Sequence, residues 1–95
     1  EALQNTYVYD DGAVKGMIQI SGDEIKKLFV EPVLQGSGIG EKLLNYAVES
    51  RGAAWLWALE KNERAIKFYR KHGFRLTDVK KLEDGTEAYL VRMER

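Results

Sequence analysis

The stretch Gln35-Gly36-Ser37-Gly38-Ile39-Gly40 decides the fold, because the hydrophobic period of the chain changes across it. The residues before it alternate as in a β-strand. The apolar residues after it recur at helical spacing, at Ile39, Leu43, Leu44, Ala47 and Val48. Glycines let a backbone approach a ligand closely, and N–H groups at a helix start carry the positive end of the helix dipole. The stretch therefore predicts a diphosphate cradle, although a tight turn that merely needs glycine explains it as well.

The segment upstream of this stretch reads as an antiparallel meander. Residues that favour tight turns occur at Asp10-Asp11-Gly12 and again at Ser21-Gly22-Asp23. The three predicted strands span residues 6–9, 13–20 and 24–30. In the second of these strands we expect Val14, Ile18 and Ile20 to lie on one side, with Lys15 and Gln19 on the other.

Downstream, the short apolar run at residues 53–59 is typical of a strand covered on both faces. Asn62 suits the N-cap of a second helix that ends at Gly73. Two further strands are predicted at residues 74–81 and 88–93. The predicted order is β-β-β-α-β-α-β-β, an α/β (α+β) fold with a mixed sheet and helices packed against it.

Two familiar phosphate-binding motifs are excluded by the spacing of the glycines. The pattern is G-x-G-x-G, whereas dinucleotide folds carry G-x-G-x-x-G and need a longer chain. A P-loop requires Gly-Lys-Ser/Thr, but Gly40 is followed by Glu41 and Lys42.

Composition narrows the class of protein further. The 95 residues predict a single domain spanning residues 1–95. With 15 Lys and Arg against 15 Asp and Glu, the net charge is zero, which argues against a nucleic-acid or membrane partner. There is no cysteine and one histidine, so we expect no metal site and no Cys nucleophile. No secretion leader is recognisable at the start of the sequence, so we expect a cytoplasmic protein.

Two stretches resemble the cofactor motifs of one enzyme family. Leu28-Phe29-Val30-Glu31-Pro32, followed by the glycine stretch, resembles the Q/R-x-x-G-x-G/A acetyl-CoA signature of the GNAT N-acetyltransferase superfamily. Residues 56–74 are similar to that superfamily's second cofactor motif, and both stand in the family's order. The resemblance implies a GNAT-like fold, acetyl-CoA as cosubstrate, and direct acetyl transfer to a primary amine on a small molecule, peptide or protein.

The resemblance also implies which residues hold the cofactor. The backbone of Leu28, Phe29 and Val30 would pair with the pantetheine arm like an added strand. Gln35 opens the signature, and N–H groups of the following residues would hold the pyrophosphate: Gly36, Ser37, Gly38, Ile39, Gly40 and Glu41. Asn62 would hydrogen-bond the pantetheine, while helix capping is its competing role.

Two catalytic roles follow from the same resemblance. Tyr69 matches the tyrosine that protonates the departing CoA thiolate, and a buried tyrosine on the helix stripe is the alternative interpretation. Glu24 matches the general base of the histone-acetylating branch, and a solvated charge at a strand entry is the alternative there. A phenol and an alkyl thiol have similar enough pKa values for such a proton transfer.

Three further expectations remain open on sequence alone. Trp55 and Trp57 should share one face of their strand, as aromatic core or as an acceptor-pocket wall. The rival functions are a non-catalytic acyl-CoA-binding module and a small interaction domain. The chain starts at Glu1 without the N-terminal strand and helices usual in GNAT domains, as a fragment or a naturally short member would. We therefore expect Tyr7, Val8 and Tyr9 to lie uncovered and the chain to form a homodimer.

Overall fold

A computed structural model describes residues 4–10, 12–31 and 34–95. Asp11 of the first predicted turn and Pro32 of the signature lie outside the described residues. Six strands and two helices follow one another in the predicted order: β1 (Gln4–Asp10), β2 (Val14–Ser21), β3 (Glu24–Val30), α1 (Ile39–Arg51), β4 (Trp55–Leu59), α2 (Glu63–Lys71), β5 (Arg75–Leu82) and β6 (Tyr89–Glu94). The predicted α/β class and element order are confirmed.

The chain divides into two compact units, with the boundary in the sequence between Ala54 and Trp55. The first holds β1, β2, β3 and α1, and the second holds β4, α2, β5 and β6. That the two units form one domain remains a prediction. No helix in the described part of the chain is long and apolar enough to cross a bilayer.

In the first unit, β1, β2 and β3 form the predicted antiparallel meander, and α1 packs on it. The core of this unit consists of Ile18, Ile20, Ile25, Ile39, Leu43, Leu44, Ala47 and Ala53. Val14 lies on the same side of β2 as the buried Ile18 and Ile20, as alternation along a strand predicts, but its side chain is 54% exposed.

Gly16 sets how closely the helix approaches the meander. A Cβ atom at this position would lie 2.9 Å from the Phe29 carbonyl oxygen, 3.0 Å from Ile39 Cγ2 and 3.1 Å from Leu43 Cδ1. Real Cβ atoms essentially never come within 3.0 Å of such a neighbour, and contacts of 3.0–3.4 Å are tighter than nine in ten of those that occur. The missing side chain therefore lets the first turns of α1 seat directly against β2 and β3.

The outermost strand of this unit is only partly covered. Tyr7 and Tyr9 are half-buried: the Tyr7 ring lies 4.8 Å from that of Tyr46 on α1, and Lys42 Nζ lies 5.4 Å from the centre of the Tyr9 ring. Val8 is 53% exposed. The expectation of an uncovered hairpin is thus confirmed for Val8 and wrong for the two tyrosines, because α1 extends over them.

The second unit is an antiparallel sheet in the order β4-β6-β5. Leu56, Ala58, Phe74, Val91 and Met93 form its core. Alternation along β4 places Trp55 and Trp57 on the opposite face, where both are half-exposed. They share one face, as predicted, but the interpretation as aromatic core is wrong, because the buried face of β4 carries Leu56 and Ala58 instead.

Candidate cofactor and catalytic site

The loop between β3 and α1 is shaped by short-range hydrogen bonds. The Leu34 N–H donates to the Glu31 carbonyl at 2.8 Å, and the Ser37 N–H donates to the Leu34 carbonyl at 3.1 Å. The Ser37 hydroxyl donates to the same Leu34 carbonyl. Because the Ser37 side chain is engaged within the loop, Ser37 shapes the turn that leads into the helix.

Two glycines of the loop adopt a backbone conformation that L side chains rarely take. Gly36 has φ 92° and Gly38 has φ 93°. A Cβ atom at either position would meet nothing within 4 Å. The loop thus offers a surface of bare backbone with open space in front of it, as close approach by a phosphate requires.

The helix start that follows has no capping side chain. Gly38 is the N-cap of α1 and offers no side-chain hydrogen bond, and the first intrahelical bond runs from Lys42 N–H to the Gly38 carbonyl at 3.0 Å. The N–H groups of Ile39 and Gly40 precede that bond, so the helix itself supplies them with no acceptor. An anion at this end would meet oriented N–H donors and the positive end of the helix dipole.

Helix α2 shows the contrast within the same chain. Asn62 caps it: the side-chain Oδ1 accepts a hydrogen bond from the Ala65 N–H at 3.1 Å. The capping role predicted for Asn62 is therefore confirmed. The amide NH₂ of the same side chain is a donor and is not used by the cap, so capping and the cofactor contact implied by the resemblance are compatible.

The other predicted cofactor residues of the first unit lie on β3 and at its end. Leu28, Phe29 and Val30 pair antiparallel with Ile18, Met17 and Gly16 along one edge of the strand. The Gln35 side-chain amide donates to the Val30 carbonyl at 3.3 Å and ties the loop back to the strand. The structure therefore makes one continuous feature of the strand end, the loop and the helix start.

Glu24 opens β3, at the end of the strand opposite the loop. Its side chain is 16% exposed, and Lys26 Nζ lies 3.6 Å from Glu24 Oε1. The interpretation of Glu24 as a solvated charge is thus wrong, because most of the side chain is shielded. Lys26 was not singled out from the sequence. Its position two residues along the same strand was the available signal.

Tyr69 lies on α2 among aromatic rings. The ring centres of Phe68 and Phe74 lie 5.4 Å and 5.9 Å from that of Tyr69. Burial raises the pKa of Tyr69 from 10.0 to about 12. The phenol therefore stays protonated at neutral pH, which is the state that a proton donor needs.

Comparison with known proteins identifies the family. Residues 2–76 match the family model described as an acetyltransferase (GNAT) domain. The chain belongs to the GNAT family. The family resemblance of the two sequence motifs is thereby confirmed.

Among curated proteins, this GNAT chain is similar to the peptidyl-lysine N-acetyltransferases YjaB and YiaC of Escherichia coli (strain K12). Identity to YjaB is 31% over 74 residues, covering 78% of this chain and 50% of YjaB. Identity to YiaC is 33% over 76 residues, covering 79% of this chain and 52% of YiaC. The chain thus spans about half the length of these relatives.

Solved structures show the same fold. The solution structure of apo-form YjaB from Escherichia coli matches with a TM-score of 0.84 at 27% identity, over 94% of this chain and 63% of that one. A putative streptothricin acetyltransferase from Bacillus anthracis in complex with acetyl coenzyme A matches with a TM-score of 0.82 at 17% identity, over 97% and 61% of the two chains. At that identity the second match supports the GNAT fold alone.

Proposed function

We propose that this GNAT chain binds acetyl-CoA at the loop between β3 and α1 and transfers the acetyl group to a primary amine. The observation that carries the proposal is the uncapped start of α1, which follows the two bare glycines Gly36 and Gly38. The cytoplasmic setting remains a prediction.

The loop suits a diphosphate for electrostatic reasons. Of the backbone N–H groups from Gly36 to Glu41, the Ser37 N–H already donates to the Leu34 carbonyl within the loop. The others would donate to the phosphate oxygens, and the helix dipole would favour their negative charge. Backbone donors are held by the fold, so little ordering would accompany binding. Along β3, the backbone of Leu28, Phe29 and Val30 would hold the pantetheine arm, and the amide NH₂ of Asn62 would donate a hydrogen bond to it.

The loop assigned to the diphosphate and the carboxylate assigned as the base lie at opposite ends of β3. Glu24 and Val30 occupy the two ends of a seven-residue strand, about 20 Å apart at the usual rise of a β-strand. A long cofactor needs such a separation between the group that anchors it and the group that serves its reactive end.

Catalysis in this proposal is direct. Bound acetyl-CoA supplies a thioester carbonyl that the neutral acceptor nitrogen attacks, with no acyl-enzyme. Glu24 takes a proton from the acceptor ammonium, directly or through water. Tyr69 donates its phenolic proton to the sulfur as the C–S bond breaks, so that CoA leaves as the neutral thiol.

We further propose the lysine side chain of a peptide or protein as the acceptor. The support is that two relatives in the same family are named peptidyl-lysine N-acetyltransferases. A lysine ammonium has an ordinary pKa near 10.4, so a base is needed before its nitrogen can attack at neutral pH. The partly shielded carboxylate of Glu24 is the group assigned to that task.

The proposal includes a homodimer formed through β1. This strand ends the order β1-β2-β3, and Val8 on it is 53% exposed. A groove of about 360 Å³ beside it is lined by Tyr7, Val8, Tyr9, Lys42, Leu43 and Tyr46. Edge pairing of two copies would satisfy the strand symmetrically. Light scattering of the wild type should give a dimer mass and that of Val8→Lys a monomer mass; a monomeric wild type would overturn this part.

Turnover separates the enzyme from a binding-only module. Lysine peptides are incubated with acetyl-CoA, and CoA release is followed together with the peptide mass. We expect a gain of one acetyl group on the lysine nitrogen and loss of that gain when the lysine is replaced by norleucine. Binding of acetyl-CoA without transfer to any amine would support the binding module instead.

A further inference from the structure

One face of the second unit's sheet carries aromatic and cationic side chains together. Directly opposed residues of an antiparallel pair share a face. Trp55 lies opposite Glu94, and Trp57 lies opposite Arg92. The register between β5 and β6 adds two more cations: Arg75 lies opposite Glu94, and Lys81 lies opposite Leu90. We call this surface the Trp face; it comprises Trp55, Trp57, Arg75, Lys81, Arg92 and Glu94.

Two cations of the Trp face lie over its two indole rings. The Arg92 guanidinium carbon lies 4.0 Å from the centre of the Trp55 ring. Lys81 Nζ lies 4.5 Å from the centre of the Trp57 ring. The two indole rings meet edge to face, with centroids 6.3 Å apart. Cation–π contacts of this kind hold the charged heads against the rings.

The Trp face is positively charged although the chain as a whole is neutral. It holds three cations and one carboxylate, and the Arg92 Nε–H donates to Glu94 Oε2 at 2.6 Å. That bond uses one of the five donors of the guanidinium. Lys80, the neighbour of Lys81, lies opposite the buried Val91 and pairs with Glu60, so its charge belongs to the other face.

We propose that the Trp face docks an acidic segment of the protein that is acetylated. This inference rests on the proposed function, since it gives the acceptor protein a second point of attachment. Carboxylates of Asp or Glu would meet the charged groups of Arg92, Lys81 and Arg75, and the indole rings would contact the apolar parts of the same segment. A peptide fits the charge better than a nucleic acid, because three cations and zero net charge give little grip on a phosphate backbone.

Intrinsic fluorescence reads this surface directly, because the two tryptophans of the chain both lie on it. The full chain is titrated with a glutamate-rich peptide and with the same peptide carrying glutamine at every glutamate. We expect saturable change of the indole emission with the glutamate peptide, weakened by salt, and none with the glutamine peptide. Equal responses to both peptides, or no response to either, would overturn the proposal.

A matched pair of variants locates the contact. Lys81→Gln and Lys80→Gln remove the same charge from adjacent positions of one exposed strand. We expect Lys81→Gln to weaken binding of the glutamate peptide roughly fivefold, the value of one exposed ion pair. Lys80→Gln should leave the affinity within about twofold. Equal losses in both variants would show a general charge effect and overturn the assignment to the Trp face.

Two further measurements complete the test. Tighter binding of oligothymidylate than of the glutamate peptide would reassign the surface to single-stranded nucleic acid and overturn the proposal. Acetyl transfer to two lysine peptides, one with a glutamate-rich segment and one without, tests the proposed function separately. If transfer to both peptides fails while glutamate-dependent binding holds, the proposed function fails and only the binding of acidic peptide at the Trp face stands.

Discussion

Gly16→Ala tests the packing that places the helix start beside β3. The new methyl group would lie 2.9 Å from a backbone oxygen of β3 and 3.0–3.1 Å from two side chains of α1. Overpacking of this kind costs about 1–3 kcal/mol. Where the backbone tolerates alanine, a Gly-to-Ala change also stabilises the folded state by about 0.4–1 kcal/mol, because it lowers the conformational entropy of the unfolded chain. We therefore expect a net loss of about 1–2 kcal/mol in the free energy of unfolding.

Urea unfolding followed by far-UV circular dichroism measures this loss. We expect a lower midpoint with an unchanged m-value, and a melting temperature lowered by roughly 4–15 °C for a chain of this size. The matched background is Leu43→Val, which shortens one of the crowding side chains. If crowding is the cause, Gly16→Ala should cost less in that background than in the wild type.

Two results would contradict the proposed crowding at Gly16. A Gly16→Ala chain whose stability lies within about 0.5 kcal/mol of wild type would show that α1 does not seat against Gly16. Strict additivity with Leu43→Val would show that the contact with Leu43 does not carry the cost.

The remaining predictions concern the two catalytic groups and the cap of α2. Tyr69→Phe should lower kcat by roughly 10²-fold with little change in acetyl-CoA affinity, whereas Tyr89→Phe, at an exposed tyrosine, should leave kcat unchanged. The pKa of Tyr69 is raised from 10.0 to about 12, so between these pH values the folded chain keeps a proton that the unfolded chain loses. The free energy of unfolding should therefore fall as the pH rises from 10 to about 12, and it should fall less steeply in Tyr69→Phe. Glu24→Gln should lower kcat at neutral pH by roughly 10²-fold; an unchanged kcat would remove Glu24 as the base. Asn62→Ala should cost about 1 kcal/mol of stability and weaken acetyl-CoA binding, while Asn62→Asp should restore the cap alone; full affinity in Asn62→Asp would limit Asn62 to its structural role.

The parts of the fold that the sequence predicts well are those that short-range physics determines. The helix after the glycine stretch and the Asn62 cap depend on residues within one or two turns of each other, so their patterns are visible locally. The same holds for the turn at Asp10, whose side chain accepts a hydrogen bond from the Gly12 N–H at 2.9 Å.

The sequence could not predict features that depend on which residues a distant helix or strand covers. Val14 has the apolar character of a core residue, yet its side chain is 54% exposed. Trp57 has the size of a core residue, yet its face of β4 is half-exposed and carries Lys81 against the ring. The requirement for glycine at residue 16 arises from β3 and α1 together and leaves no local signature.

The most direct test of the central claim is acetyl-CoA binding measured by calorimetry on the wild type and on Gly38→Asp. An aspartate there would put a carboxylate at the helix start, where it would occupy the N–H donors and repel phosphate. Gly12→Asp is the matched control. Gly12 and Gly38 both have a positive φ, +106° and +93°, and both have open space around the Cβ position. We expect wild type and Gly12→Asp to bind acetyl-CoA, and we expect Gly38→Asp to fold but not to bind it. Equal affinity in Gly38→Asp and wild type, or no binding by the wild type, would contradict it.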